Sequence, residues 1–146
     1  MAEREEKGAS GVFTDTHAHL ALVAERLGRH AAEAMLGRDA AAVPAAAPFI
    51  VDIGVNPGDL APRLAAFGGY PFVRFAAGLW PGRESLGNPG AALAALAADL
   101  ASPRCSALGE CGLDYHHMEA PERDQIGLFE AQAAMAVSAG LPLLVH

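Results

Sequence analysis

FIVDIG, residues 49–54, decides the fold. It is an almost unbroken apolar run of strand length. A strand with one wet face alternates apolar and polar residues, whereas a strand covered on both faces does not. The run therefore reads as a parallel strand with helices on either side. Around it, strand and helix signals alternate along the chain. Residues 11–17 read as a strand, followed by a helix from Leu22 to Met35 that Gly37 stops. DAAAVPAAAP, residues 39–48, is a loop broken by Pro44 and Pro48. After the central run, Asn56-Pro57 has the form of a helix cap with proline in the first turn. Leu60, Leu64 and Phe67 form that helix's apolar face, Pro62 is expected to disturb it, and Gly68-Gly69 ends it.

The alternation continues. Phe72 to Leu79 is a third strand, left through the turn GLWPG. Asn88-Pro89 repeats the cap, and Leu93, Leu96 and Leu100 make one helical stripe. Cys105 to Glu110 is a fourth strand. Pro121 opens the longest helix, with Glu122 and Asp124 where the helix dipole favours negative charge. Leu128, Phe129, Ala133 and Ala136 are its expected buried face, and Gly140 closes it. Leu141 to His146 is a fifth strand. Five strands and about four helices in this order imply an α/β fold with a parallel sheet and right-handed crossovers.

Bulk properties fit one domain over residues 11–146 behind a flexible charged tail at residues 1–10. Hydrophobic residues are 52% of the 146 and charged residues 18%, enough apolar content for a core. The net charge of -7 argues against a strongly basic nucleic-acid surface. Cys105 and Cys111 stand at opposite ends of one strand, roughly 20 Å apart and beyond disulfide reach. Reduced thiols suit a cytoplasmic protein. The N-terminus lacks the apolar core of a signal peptide, and no run approaches the roughly 20 residues needed to span a bilayer.

The chemistry-bearing residues gather at strand ends. In TDTHAHL, residues 14–20, His17 and His19 are two apart on a strand and share a face with Asp15. Two imidazoles so placed can clamp a divalent metal; taken alone, such a pair is equally compatible with core histidines. Glu110 ends the fourth strand and His146 the fifth. In a parallel α/β sheet or barrel the C-terminal strand ends form one rim, where active sites sit. Asp15 reads either as a support that holds a histidine tautomer or as a strand-end cap. Asp114 is a turn acid or a site organiser. His116 and His117 are adjacent and are expected to diverge on an exposed loop, with His116 a possible substrate contact. Trp80 could stack on a base, worth about 1–3 kcal/mol in single-strand binders, or simply pack beside Pro81. Cys111 faces away from Glu110 and is not counted as a ligand.

TDTHAHL, VDIGV, GLWPG, ALGECGLDYH, FEAQAAMA and GLPLLVH, in that order from about residue 12 to residue 146, resemble the TatD family of metal-dependent hydrolases. The resemblance implies a (β/α)₈ barrel of TIM type, of which this chain would be a truncated N-terminal half. It implies two divalent ions (Zn, Mn, Mg, Fe or Co), one held by His17 and His19 and the other by His146, with Glu110 between them. It implies nuclease chemistry on DNA or RNA, with metal-activated water attacking a phosphodiester. Trp80 stands where the family usually has a histidine. The family's further histidine, aspartate and arginine come from strands and loops after His146. A chain ending there is expected to hold metal weakly and to leave open sheet edges for self-association. Two rivals remain: a related hydrolase of another ester or C–N bond, and a non-catalytic half-barrel that binds a partner chain.

Overall fold

The apolar run at residues 49–54 forms the second of the five parallel strands found among the described residues. A computed structural model of the chain describes residues 14–41 and 49–146. The strands are β1 (Asp15–Ala18), β2 (Ile50–Ile53), β3 (Val73–Ala77), β4 (Cys105–Cys111) and β5 (Leu143–Val145). They lie in one sheet in chain order, every neighbouring pair parallel. Among the described residues six helical segments connect them: α1 (Leu20–Leu27), α2 (Arg29–Ala41), α3 (Leu60–Phe67), α4 (Arg83–Leu86), α5 (Pro89–Leu100) and α6 (Glu122–Ala139). The sheet curls: the Glu110 N–H at the end of β4 reaches past the β3 exit to the Gly54 carbonyl beyond β2, at 2.8 Å. Consecutive parallel order with this curl is the layout of a half-barrel.

The core has two layers, set by the two-residue period of the strands. Ile50, Val73, Phe75, Ala77, Leu108 and their neighbours pack against the helices, with Leu20, Leu60, Leu96 and Leu128 facing them. On the other face Val51, Ile53, Ala76 and Ala107 form a smaller cluster with Leu144. Burial on both faces explains why β2 reads as a continuous apolar run. Among the described residues no helix is long and apolar enough to cross a membrane.

Several local expectations are corrected. The first crossover is two helices rather than one, because Gly28 (φ +85°) breaks it, and α2 runs through Gly37 instead of stopping there. Asn56-Pro57 is not a cap: α3 starts at Leu60 with Asp59 at the cap position. Pro62 thereby falls in the first turn, where an N–H has no helical partner to lose, and leaves the helix intact. The turn after β3 carries the short helix α4. On α6 the buried positions are Gln125, Leu128, Gln132 and Ala136, with Phe129 and Ala133 only half-buried. The Asn88 cap does form, accepting from the Ala91 N–H at 3.2 Å, and Gly140 ends α6 in the left-handed region. The tail at residues 1–10, the first strand residues at 11–13 and most of the proline-broken loop (42–48) lie outside the described residues.

Candidate metal centre

The C-terminal ends of β1, β4 and β5 bring His17, His19, Glu110 and His146 together. β1 presents His17, and His19 follows immediately after the strand, so the two rings project alike with centroids 5.3 Å apart. Both Nε2 atoms face one oxygen of Glu110: His17 Nε2 lies 3.1 Å and His19 Nε2 3.3 Å from Oε2. His146 approaches the other oxygen, its Nδ1 2.5 Å from Oε1. A buried carboxylate thus turns one oxygen to each of two imidazole sets while the rings stay partly open to solvent.

The surrounding main chain fixes these groups. The Ile53 carbonyl, 3.2 Å from His19 Nδ1, can only accept. It therefore accepts from an Nδ1–H and turns Nε2 toward the centre, the ring orientation typical of an imidazole ligand. The His146 N–H donates to the Cys111 carbonyl at 2.8 Å, tying the end of β5 to the end of β4. Gly78 lies under Glu110; a side chain there would run into the main chain of Gly109 and Glu110.

The donor set fits a divalent cation. His17, His19 and Glu110 offer ligand atoms that all lie within 4.8 Å of one another. Imidazole with carboxylate is the ligand chemistry of Zn, Mn, Fe or Co. Cys111 takes no part: its Sγ points to the Leu144 carbonyl, and burial followed by the Glu110 charge pushes the thiol up to about 11. Both cysteines are buried and unpaired.

The remaining site residues fall into different positions. Trp80 stands against the centre, its ring edge-to-face with His146 at 4.2 Å, and lines a cavity of about 580 Å³ with His19 and Glu110. Asp15 reaches main chain rather than an imidazole: its Oδ1 accepts the His17 N–H at 2.9 Å. Asp114 organises its own turn. It accepts the N–H groups of His116 and His117 at 3.0 Å and contacts His117 Nδ1 at 2.7 Å. Those contacts, the His117 N–H foremost, hold its carboxyl below the usual range. His116 is exposed, and its ring meets that of His117 edge-to-face at 4.7 Å, so the adjacent pair does not diverge.

Three charged residues beside the cavity escaped the sequence reading. Asp52 is fully buried within β2, paired at 3.1 Å with Arg63, which also holds Asp59 at 2.8 Å. Burial outweighs the Leu20 N–H and Arg63 and raises the Asp52 pKa. The available signal was an aspartate inside an apolar run, which needs a buried partner. Two glutamines on α6 were also missed. Gln132 makes paired bonds to both main-chain groups of Leu79, just before Trp80. Gln125 does the same for Asp114.

A family model described as TatD related DNase matches residues 14–146. Among solved structures, YjjV, a TatD homologue from Escherichia coli K12, superposes with a TM-score of 0.70 at 26% identity. The match covers 92% of this chain and 50% of that one, so the chain spans about half the length of this relative. No curated protein matches the chain.

Proposed function

Because the chain belongs to the TatD-related DNase family, we propose that it contributes the first half of a metal-dependent phosphodiesterase site acting on nucleic acid. The observation that carries this reading is Glu110, a buried carboxylate with one oxygen toward His17 and His19 and the other toward His146. His17 Nε2, His19 Nε2 and Glu110 Oε2 would hold one divalent cation, and Glu110 Oε1 with His146 Nδ1 would contribute to a second. A cation there supplies Lewis acidity, easing proton loss from water and offsetting charge on the departing oxygen.

The chain's own groups do the rest. The Ile53 carbonyl beside His19 Nδ1 turns Nε2 toward the centre. The burial of Glu110 limits competition from bulk water for its oxygens. The Trp80 ring, packed on His146, offers an apolar wall on which a base can stack beside the centre. The test is binding of Mn²⁺ or Zn²⁺, and of a labelled DNA oligonucleotide, to the purified chain, because half a site is expected to turn over slowly or not at all. Metal binding should be lost in Glu110→Gln, and DNA binding should need the metal. Metal binding that survives that substitution, or DNA binding indifferent to metal, rejects the proposal.

A further inference from the structure

Building on that metal-centre reading, we propose that Arg63, acting with Asp52 and Asp59, is a positioning residue for the centre: it sets the segment after β2 from which His19 and Glu110 are held. Arg63 sits on α3 and is 6% exposed. A guanidinium has five N–H donors, and here each has an acceptor. Nε bonds Asp59 Oδ1 at 3.1 Å. Nη1 bonds the Asp52 carbonyl at 3.0 Å and its Oδ2 at 3.1 Å. Nη2 bonds Asp59 Oδ1 at 2.8 Å and the Ala76 carbonyl at 2.7 Å. With every donor used inside the protein, Arg63 has none left for a substrate phosphate, although it borders the cavity beside the centre.

A buried ion pair adds little stability over well-packed apolar residues of the same volume. The value of this one lies in what its acceptors hold. The second oxygen of Asp52 accepts the N–H of Leu20, the residue after His19, at 2.9 Å. The next carbonyl, Ile53, orients the His19 ring. The one after it, Gly54, receives the Glu110 N–H at 2.8 Å. Asp59 then uses Oδ2 to accept the N–H groups of Val55 and Asn56 at 2.9 and 3.0 Å. The segment 52–56 is therefore clamped before and after two carbonyls, and those two carbonyls hold the histidine just after β1 and the main chain of Glu110 in β4. A planar fork of five donors can satisfy such a set; the three donors of an ammonium cannot.

The test uses Arg63→Lys, which keeps the charge, and Asp59→Asn, which keeps the shape, each beside the wild-type chain. Two readouts go beyond folding. The first is the placement of the His19 ring against Ile53 in the metal-free chain, from ring-proton nuclear Overhauser contacts. The second is Co²⁺ affinity with its visible absorption spectrum. Wild type should show the ring fixed beside Ile53. The variants, with thermal unfolding still cooperative, should show a displaced or mobile ring, an altered cobalt spectrum and Co²⁺ binding weakened about 10–100-fold. Folded variants with the wild-type ring contacts and cobalt spectrum overturn the proposal. So does failure of both variants to fold, because the network then serves folding and not positioning. If wild type itself binds no Co²⁺, the metal-centre reading fails, and the ring-contact arm alone still decides whether Arg63 sets His19.

Discussion

Gly78→Ala puts the packing beneath Glu110 under test. A Cβ on Gly78 would lie 2.4 Å from the carbonyl carbon of Gly109 and 2.6 Å from the Glu110 oxygen. Ordinary contact begins at 3.4 Å, so the shortfall is about 1 Å. The obstructing atoms are main chain and cannot swing aside as a side-chain tip would. The exits of β3 and β4 must part, and Glu110 moves with its backbone. Overpacking of this kind costs about 1–3 kcal/mol of stability. A displacement near 1 Å at a site that needs its groups held within about 0.5 Å should weaken Co²⁺ binding on the order of 10²-fold. Urea denaturation gives the first quantity, and calorimetric titration of the folded variant gives the second. An alanine variant with the wild-type denaturation midpoint and the wild-type Co²⁺ affinity would refute the close-packing argument.

Other substitutions probe separate links. Gly127→Ala lies inside α6, where an added methyl meets nothing within 4 Å; it should stabilise the chain by up to about 1 kcal/mol in the same denaturation assay, leaving metal affinity unchanged. Asp114 has a folded pKa below its ordinary 3.8, so as pH falls the unfolded chain takes up the proton first. Its stabilising contribution is full above 3.8 and is lost as pH drops through the lowered folded value. Asp114→Asn should therefore flatten the acid side of a stability–pH curve, and a variant as acid-sensitive as wild type would contradict this. Gln132→Leu removes both bonds to Leu79; leaving those buried main-chain groups unpaired should cost about 1–3 kcal/mol each, measured by thermal unfolding.

The order of strands was legible because apolar runs and helix stops alternate. The closeness of His17 and His19 followed from their two-residue spacing at a strand end, although β1 stops at Ala18 and His19 lies just past it. Their meeting with Glu110 and His146 needed only the rule that parallel strands end on one rim. What stayed hidden was long-range. Asp52 looks like any break in an apolar run until Arg63, eleven residues later, is seen to reach back to it. Gln125 and Gln132 are polar residues of α6, yet they are buried, with three and two bonds respectively to main-chain groups of the loops they face. Local punctuation misled in both directions. Gly37 sits within a continuing helix while Gly28, with its positive φ, ends one. Asn56-Pro57 carries the letters of a cap, but Asp59 binds the N–H groups before it and delays the helix.

The decisive experiment is a crystal structure of the chain grown with Zn²⁺, with anomalous data collected on both sides of the zinc edge. The account requires a zinc peak about 2.0–2.2 Å from His17 Nε2, His19 Nε2 and Glu110 Oε2 together. A chain that takes up zinc elsewhere, or binds it through the two histidines with Glu110 left outside the coordination sphere, would contradict it.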